Sequence, residues 1–317
     1  MSKIKSRVPL KNYSNFRIGG SAKFFIEIES IRELREILKQ AKYPKGVQND
    51  NEKIFILGRG TNVLISDEGF DGLVIYNKIR GIERAKNNLT VGSGVLIKDL
   101  LDYCIENSLT GLEWAGGLPG TLGGAVRGNA GAFGGEIKDS VAAVSSLAIN
   151  SLEERIRNNT ECQFGYRNSV FKSGEGENEF ITHVILELAP GDKNEIREKI
   201  QQKMDYRNNR HPMNYPNIGS TFKNIPLDSL SRDLQREFAS FVKTDPFPVV
   251  PTTKLLALCD LKGKRAGGAM ISEKHPNFIL NVDSATAEDV KVLISVAKQA
   301  IKDKYHILLE EEIVRLD

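Results

Sequence analysis

The sequence predicts an α+β fold in two domains, on three observations. Helical and extended hydrophobic patterns alternate along the chain. Its 317 residues correspond to roughly two domains, at about 150 residues per domain. Residues 205–216 contain two prolines and follow a helical pattern, so the domain boundary is expected there, because prolines end helices. A second proline-rich stretch, Lys243–Thr253, is expected to be a loop within the second domain.

Four segments have the hydrophobic spacing of amphipathic helices. The first begins at a capping box formed by Ser30 and Glu33, and the third and fourth begin at Asp192 and Thr286. The apolar positions of the four predicted helices are Ile31, Leu34, Ile37, Leu38 and Ala41 in helix 31–41, then Leu96, Leu100, Leu101, Cys104 and Ile105, then Ile196, Ile200 and Met204 in helix 193–207, and finally Val290, Leu293, Ile294, Ala297 and Ile301.

Other segments are rich in Val, Ile and Phe and bounded by turn residues, as strands are. The predicted strands are Phe24–Ile28, Ile54–Leu57, Leu73–Tyr76, Val141–Ile149, Phe180–Leu188 and Phe278–Asn281. The last segment, His306–Leu316, is also predicted to be extended.

Composition and charge exclude several classes of protein. Apolar residues make up 40% and charged residues 27%, which argues against intrinsic disorder. A net charge of +3 without a basic run argues against nucleic-acid binding. No apolar run reaches the ~18 residues of a membrane span, and residues 1–16 lack the apolar region of a secretory signal. Cys104, Cys162 and Cys259 show no metal or disulfide spacing, so we expect buried thiols in a cytoplasmic protein.

The first glycine-rich loop follows a predicted strand and reads Gly58-Arg59-Gly60-Thr61-Asn62. Glycines let the backbone approach an anion closely, and successive N–H groups can bind it. A dinucleotide-binding motif is disfavoured because Val63 occupies the third glycine position, and the Gly-Lys-Ser/Thr of a Walker loop is absent. An anion-binding loop and a simple tight turn both stay open for this segment.

The second glycine-rich segment, residues 111–135, holds ten of the chain's 28 glycines. That density is too high for an ordinary helix or strand, and the segment has too little Ser, Pro and charge for a flexible linker. We expect a backbone wrapped closely around a ligand, with Ala, Leu and Val side chains against a flat apolar body. Two separated glycine loops suit a large ligand with a diphosphate in its middle.

Six short blocks, in order along the chain, resemble the motifs of the UDP-N-acetylenolpyruvoylglucosamine reductases, flavoenzymes of peptidoglycan synthesis. The blocks are Asn15–Gly20, Leu57–Asn62, Ser66–Gly72, Tyr166–Phe171, Gly219–Asn224 and Leu309–Ile313. The resemblance implies an FAD-binding domain of the vanillyl-alcohol-oxidase type at 1–205, with subdomains at about 1–75 and 76–205. It further implies a smaller α/β substrate-binding domain at 206–305 and a C-terminal segment, 306–317, that carries Glu312. The chain resembles the shorter subtype of the family.

The resemblance also implies non-covalent FAD, and no histidine lies in either glycine loop where it could tether the flavin. Matching positions for FAD binding are Gly58, Arg59, Gly60, Thr61, Asn62, Val63, Pro119, Gly120, Thr121, Gly123, Gly124, Asn129 and Gly131. A branched side chain at Gly123 is expected to occupy space that FAD needs. NADPH is the implied co-substrate, and no metal is implied. The UDP-sugar enolpyruvyl ether is expected to contact Arg210 and Asn224, with Lys223 a weaker candidate.

The implied reaction reduces an enolpyruvyl ether to a lactyl ether. Hydride goes to the terminal vinyl carbon, and negative charge develops as an enolate beside the carboxylate. Ser220 matches the proton donor, and Arg167 and Glu312 match the pair that flanks the enolate. Arg167 can reach a carboxylate with a forked donor, whereas Glu312 would need a proton or a bridging water to stabilise negative charge.

Two alternatives stay open: another oxidoreductase of the same flavin fold, such as an alcohol oxidase, and a catalytically inactive regulator that binds flavin or nucleotide. The glycine loops fit all three hypotheses, while the three catalytic matches favour the reductase. The chain departs from the family in a longer segment, Ile225–Thr253, and in Gly128, which replaces a bulkier residue. His211 and His275 lie beside prolines and are expected to be structural or peripheral.

Overall fold

The computed structural model describes residues 4–40 and 53–317, which form two compact units. Unit 1 comprises the described residues of Met1–Val8, Ala22–Arg59 and Asp71–Asp205, and unit 2 comprises Pro9–Ser21, Gly60–Phe70 and Tyr206–Asp317. The units are interleaved along the chain, whereas the predicted domains are continuous. The assignment of FAD to 1–205 and of substrate to 206–305 stays a prediction.

The four predicted helices are confirmed, and further short helices join them. Ala41, predicted at the end of the first, lies outside the described residues. The helix after residue 192 runs to Arg210, and Pro212 follows it. The helices of the described residues are α1 (Ile31–Gln40), α2 (Ile97–Glu106), α3 (Leu122–Arg127), α4 (Lys193–Arg210), α5 (Arg232–Glu237), α6 (Thr252–Leu258) and α7 (Ala287–Tyr305).

Helix α3 corrects the expectation that the glycine-rich segment contains no ordinary helix. The Thr121 hydroxyl caps its start and accepts a hydrogen bond from the Gly124 N–H at 3.4 Å. Leu122, Ala125 and Val126 are buried on one side. Packing of that side outweighs the low helical propensity of glycine.

The predicted strands are confirmed with small shifts at their ends. The strands of the described residues are β1 (Lys5–Pro9), β2 (Ser21–Ile28), β3 (Lys53–Leu57), β4 (Val63–Ile65), β5 (Phe70–Asn77), β6 (Ile82–Ala85), β7 (Asn88–Gly92), β8 (Leu109–Thr110), β9 (Gly131–Ala132), β10 (Gly135–Glu136), β11 (Val141–Ala148), β12 (Glu154–Asn158), β13 (Glu179–Glu187), β14 (Ala189–Pro190), β15 (Ile225–Pro226), β16 (Val249–Val250), β17 (Arg265–Ala266), β18 (Ala269–Ile271), β19 (Ile279–Asn281) and β20 (Val314–Leu316).

The prediction of an extended segment over 306–316 is wrong for most of its length, since only β20 is a strand. His306 has a φ of +56° and ends α7 by donating its N–H to the Lys302 carbonyl. Between them the chain is irregular, apart from an isolated bridge between Glu311 and Phe222. The apolar alternation in this segment therefore reflects burial without continuous strand pairing.

Unit 1 contains a four-stranded sheet in the order β1-β2-β5-β3 and a five-stranded sheet in the order β12-β11-β13-β7-β6. The β3–β5 pair is parallel, while every pair in the five-stranded sheet is antiparallel. A core formed by α2, α3 and the inner face of the five-stranded sheet contains Leu101, Val126 and Val184. Buried residues of the glycine-rich segment are part of this core.

Unit 2 is built on the sheet β17-β18-β19, against which α7 packs. A parallel pair of strands, β4 and β20, aligns Val63 with Val314 and Ile65 with Leu316. Asp67 accepts hydrogen bonds from the backbone N–H groups of Ala287 and Glu288 and so caps α7. These contacts make segment 60–70 an integral part of unit 2.

A buried ion pair crosses the five-stranded sheet. Arg157 on β12 forms a two-pronged contact with Glu179 on β13, and Ser146 on β11 donates its hydroxyl to the same carboxylate. Burial alone would raise the pKa of Glu179, but the hydrogen bonds from Arg157 and Ser146 outweigh it and hold this pKa below its usual range. Both carboxylate oxygens of Glu179 and both terminal nitrogens of Arg157 thus have partners inside the protein.

The cysteines are free thiols: Cys104 and Cys162 are buried as predicted, and Cys259 is half-buried. Burial raises the pKa of Cys104 to about 12 and that of Cys162 to about 11, which keeps both unreactive. Over residues 4–40 and 53–317, no helix is long and apolar enough to cross a bilayer. The same residues contain no cluster of His, Cys, Asp and Glu that could hold a metal ion.

Candidate active site

The two glycine loops meet within unit 1 at Gly58 and Thr121. Gly58 directly follows β3, and Thr121 is the residue that caps α3. A Cβ built on Gly58 would lie 2.7 Å from the Thr121 Oγ1 atom, closer than real side chains approach. Gly120 has a φ of +113°, a conformation that L side chains rarely adopt. Glycine is therefore required on both sides of this contact.

Helix α3 has a packed side and an open side. A Cβ on Gly123 would come within 2.9 Å of the Ser93 Cβ atom, and the Gly123 N–H donates to the Ser93 carbonyl at 2.8 Å. The expectation that a side chain at Gly123 would occupy cofactor space is therefore wrong: it would strike Ser93. Gly124 is exposed, and a Cβ on Gly128 would meet only a carbonyl oxygen at 3.7 Å. The open side of the helix thus carries Gly124 and Gly128.

Arg167, the predicted partner of the enolate, contacts the hairpin formed by β9 and β10. Its Nη2 atom donates to the Gly131 carbonyl at 2.9 Å, and its guanidinium carbon lies 5.2 Å from the centroid of the Tyr166 ring. Its own backbone has a φ of +55°, and its carbonyl accepts from the Lys172 ammonium. Unit 1 thus brings the candidate catalytic arginine to Gly131, a predicted FAD position.

Asn129, another predicted FAD position, is fully buried. Its amide donates to the Glu136 carboxylate at 3.1 Å and to the Gly165 carbonyl at 2.9 Å, while its oxygen accepts from the Lys138 N–H. The Asn129 side chain therefore holds the loop together. The sequence motif identified the residue but not this use of it.

The remaining predicted FAD positions of unit 1 are more exposed. Arg59 donates from Nη1 to the Tyr76 hydroxyl at 3.2 Å. Pro119 is exposed, in the turn that leads into Gly120. These residues border the contact between Gly58 and Thr121 along the chain.

The rest of the first glycine loop, Gly60 to Val63, belongs to unit 2. Gly60 has a φ of +62°, and a Cβ there would overlap the Tyr13 carbonyl. Thr61 is half-buried, and Val63 begins β4. Asn62 donates its amide to the Glu312 carbonyl at 3.1 Å, and its own carbonyl accepts from the Val314 N–H. In unit 2 this loop therefore holds the segment that carries Glu312.

Ser220 lies in a loop whose shape is set by Gly219 and Asn217. Gly219 has a φ of +82° and donates its N–H to the buried Asn217 side chain at 3.0 Å. Ser220 is half-buried and forms an isolated bridge with Phe278. Its hydroxyl forms no hydrogen bond with any residue in the described ranges. Because only the backbone of Ser220 is fixed, its hydroxyl can rotate toward a substrate.

Asn277 fixes the chain immediately after Ser220. Its carbonyl accepts from the Thr221 N–H at 2.7 Å, its Oδ1 accepts from the Phe222 N–H at 3.0 Å, and its Nδ2 donates to the Phe222 carbonyl at 2.8 Å. Asn277 is 3% exposed, so no water competes for these bonds. One asparagine thus pairs with two successive residues in the manner of a strand.

Glu312 is brought to the Ser220 loop by its backbone, because its N–H donates to the Thr221 carbonyl at 2.8 Å. The neighbouring acids turn to other partners: Glu310 pairs with Lys223 at 2.9 Å, and Glu311 pairs with Lys298 and Arg315. Burial raises the pKa of Glu311, but hydrogen bonds from Arg315 and Lys298 outweigh it and lower this pKa overall. The charges of Glu310 and Glu311 are therefore balanced by other residues.

The predicted substrate residues differ in their surroundings. Arg210 ends α4 and lies 5.9 Å from the centroid of the Tyr206 ring. The charge of Lys223 is balanced by Glu310. Asn224 accepts from the Thr252 N–H at 3.2 Å, at the start of α6. The longer segment that follows Asn224 is thus tied back to it.

His211 and His275 form a cluster with Phe278, the bridge partner of Ser220. The two imidazole centroids are 5.2 Å apart, and each lies about as close to the Phe278 ring. Burial lowers the pKa of both histidines to about 4, and the pair repel each other when charged. The prediction that they are structural or peripheral left out this contact with the strand beside Ser220.

Two relatives and one solved structure show what the chain resembles. It is 35% identical over 306 residues to the UDP-N-acetylenolpyruvoylglucosamine reductase of Geobacillus kaustophilus, covering 96% of this chain and 90% of the relative. It is 34% identical over 313 residues to that of Staphylococcus aureus, covering 98% and 91%. The crystal structure of the reductase from Thermus caldophilus superposes with a TM-score of 0.77 at 27% identity, covering all of both chains.

Two family profiles match different parts of the chain. The profile of an FAD binding domain matches residues 22–149, and that of the C-terminal domain of UDP-N-acetylenolpyruvoylglucosamine reductase matches residues 211–316. The fold and these matches define an FAD-binding oxidoreductase, and the predicted fold class is confirmed. The chain belongs to the UDP-N-acetylenolpyruvoylglucosamine reductase family.

Proposed function

We propose that this chain reduces UDP-N-acetylglucosamine enolpyruvate to UDP-N-acetylmuramate, with NADPH as reductant and non-covalent FAD as the hydride carrier. The observation that carries the proposal is the hydrogen bond from the Glu312 N–H to the Thr221 carbonyl, which ties Glu312 to the residue after Ser220. It joins, within unit 2, two of the three residues that the reaction requires. Membership of the reductase family supports the same reaction.

Bound FAD supplies the hydride that the vinyl carbon receives. Ser220 then gives its hydroxyl proton to the neighbouring carbon, which carries the carboxylate. Arg167 holds the negative charge that develops on the enolate through its forked N–H donors, and Glu312 would do so as a protonated acid or through a bridging water. The Asn62 side chain keeps the Glu312 backbone in place while this happens, and the Asn277 side chain holds Phe222, two residues after Ser220.

Unit 1 fits FAD on structural grounds. The Gly58 and Thr121 loops come together where an added Cβ has no room. On the outer side of α3, an added Cβ would meet a single atom at Gly124, 3.4 Å away, and a single atom at Gly128, 3.7 Å away. Backbone that approaches this closely suits a diphosphate, and the exposed side of α3 suits an isoalloxazine ring. The predicted FAD residues in this unit are Gly58, Arg59, Pro119, Gly120, Thr121, Gly123, Gly124, Asn129 and Gly131. The predicted positions Gly60, Thr61, Asn62 and Val63 lie in unit 2.

For the substrate, Arg210 and Asn224 would bind the UDP diphosphate, and Lys223 contributes less because Glu310 balances its charge. Residues 206–305 would then form the substrate domain, residues 1–205 the FAD domain, and the segment 306–317 would present Glu312. We place the reaction in the cytoplasm, where peptidoglycan precursors support cell shape and division.

The test is to purify the protein, record its visible spectrum with added FAD, and follow NADPH absorbance with and without the enolpyruvyl sugar nucleotide. We expect a yellow protein whose flavin is released intact by acid. NADPH consumption should depend on the sugar nucleotide and yield one lactyl ether per NADPH. A protein that rejects FAD, or that oxidises alcohols with oxygen instead, would contradict the proposal.

A further inference from the structure

Arg127, the last residue of α3, has a charge that the protein does not balance with an ion pair. Its guanidinium forms no hydrogen bond and no ion pair with any residue of 4–40 or 53–317. Arg127 is half-buried. Its nitrogens are not among the fully buried side-chain atoms that lack a hydrogen-bond partner. The guanidinium therefore faces space that solvent, or a ligand, can reach.

Another arginine of unit 1, Arg157, shows the usual arrangement. It is buried deeply and is paired at two atoms with Glu179. By contrast, burial lowers the pKa of the Arg127 guanidinium, and only the exposed Glu177 opposes this from a distance. A half-buried cation without a close counter-charge is unfavourable, and such groups in proteins generally face an anion.

The surroundings of Arg127 place it on the open side of α3. Positions three and four residues apart share a helix face, so Arg127 lies beside Gly124, which is exposed. The next residue, Gly128, has no neighbouring atom closer than 3.7 Å to an added Cβ. The Ser169 hydroxyl donates to the Arg127 carbonyl at 2.8 Å and fixes this end of the helix. The Arg127 backbone is thus fixed, and its position on the helix is next to Gly124 and Gly128.

We propose that Arg127 binds an ionised oxygen or nitrogen of FAD, an interaction that none of the predicted FAD positions includes. This inference rests on the proposed function. Two parts of FAD carry the required negative charge: the diphosphate, in every redox state, and the isoalloxazine ring once it is reduced. Both are anions that a forked guanidinium can bind through two N–H donors. The glycines at 124 and 128 leave the room that the long arginine side chain needs beside the cofactor.

The experiment compares Arg127→Met, Arg127→Lys and the control Glu177→Gln. Each apoprotein is titrated with FAD and with riboflavin, which lacks the diphosphate, and the midpoint potential of bound FAD is measured. If Arg127 binds the diphosphate, Arg127→Met weakens FAD binding roughly ten- to hundredfold, leaves riboflavin binding unchanged and leaves the potential unchanged. If it binds the reduced ring, oxidised FAD binds normally and the potential falls. Arg127→Lys should retain part of either effect.

The proposal is overturned if Arg127→Met changes neither FAD affinity nor the potential. It is also overturned if Glu177→Gln produces the same change, because Arg127 would then act only through that glutamate. Thermal unfolding of each apoprotein separates misfolding from lost binding. If Arg127→Met weakens riboflavin binding as much as FAD binding, the effect is due to misfolding, and the proposal is overturned as well. A wild-type protein that rejects FAD contradicts the proposed function, whereas normal FAD binding together with an unchanged midpoint potential in Arg127→Met contradicts only this inference.

Discussion

In unit 1 the predicted cofactor residues are arranged by backbone packing at glycines, whereas in unit 2 Ser220 and Glu312 are arranged by asparagine side chains. Positions 58 and 123 require glycine because any Cβ atom there would strike a neighbour. Asn62 and Asn277 each use the side-chain amide to hold a backbone carbonyl, that of Glu312 and that of Phe222 respectively. The two regions should therefore fail in opposite ways: unit 1 when atoms are added and unit 2 when atoms are removed.

The largest expected effect is that of Ser220→Ala, which removes one hydroxyl from unit 2. Reduction of the flavin by NADPH needs no proton delivered to carbon, so it should stay nearly intact. Reoxidation by the enolpyruvyl substrate should slow by at least ~10²-fold. Stopped-flow absorbance of the flavin measures both steps on one sample. Ser220→Cys should restore part of the rate, since a thiol can also donate a proton; rapid reoxidation of the alanine variant would instead mean that Ser220 only shapes its loop.

Asn277→Ala should give the next largest effect, although this side chain never contacts a reacting atom. The variant leaves the N–H and carbonyl of Phe222 without their buried partner, so the Ser220 loop loses its fixed position. We expect reoxidation at saturating substrate to slow by roughly tenfold or more, with flavin reduction unchanged. Asn281→Ala is the control, because that side chain bonds to Phe16 and Ala285. Equal rates in the two variants would show that Asn277 is merely structural.

Two adjacent glycines of unit 1 test the sensitivity to added atoms. Gly123→Ala places a methyl group against Ser93 and should destabilise the apoprotein by about 1–3 kcal/mol. Gly124→Ala has only the Thr121 hydroxyl nearby, at 3.4 Å, and should leave the apoprotein as stable or slightly more stable. Because Gly124 lies on the open side, its variant should instead weaken FAD binding. Chemical unfolding and FAD titration check both; identical behaviour of the two variants would remove the distinction between the sides of α3.

Acid should loosen unit 2 before unit 1, which is the smallest effect expected. His211 and His275 keep a pKa of about 4 when folded, against an ordinary value of 6.5, so the unfolded chain binds more protons between these values. Unit 2 therefore loses stability as pH falls from 6.5 toward 4; protonation is further opposed by Arg207, Lys274 and Lys243.

In unit 1 the corresponding group is Glu179, whose folded pKa lies below its ordinary value of 4.5. Its contribution to stability is present above 4.5 and is lost only as pH falls through the lower folded value. Trp114, the chain's single tryptophan, lies in unit 1 and reports that unit by fluorescence, while hydrogen exchange reports unit 2. His275→Phe should reduce the acid sensitivity of unit 2. Loss of Trp114 packing before unit 2 exchanges would contradict this order.

The sequence predicted the features that depend on residue type and period. Helix α7 follows from its apolar spacing and from the Thr286 capping box, which the structure shows. Helix α3 could not be predicted, because its stability comes from packing that glycine composition conceals. Likewise, the residues that follow His306 have the pattern of an extended segment. The left-handed conformation of His306 depends on the helix that it ends, so the sequence alone does not show it.

In the candidate site, the motifs identified which residues to examine but not how they are used. Asn62 matches an FAD position, yet in unit 2 its amide donates to Glu312, far away along the chain. Asn277 lies in no predicted motif, and its pairing with Phe222 needs a fold in which β19 lies beside the Ser220 loop. An asparagine that bonds to backbone has no periodic signature, so only the three-dimensional structure shows it.

The interleaving of unit 2 has a consequence for its biosynthesis. Phe16, Ile18 and Leu64 leave the ribosome well before the apolar partners that bury them, which lie beyond residue 217. At about 5–20 residues per second, these side chains wait on the order of ten seconds or more for those partners. During that time they are exposed targets for chaperones, and neither β4 nor Asn62 can take its final place. The nascent chain thus gains a Glu312-bearing site only when its last strand, β20, has been translated.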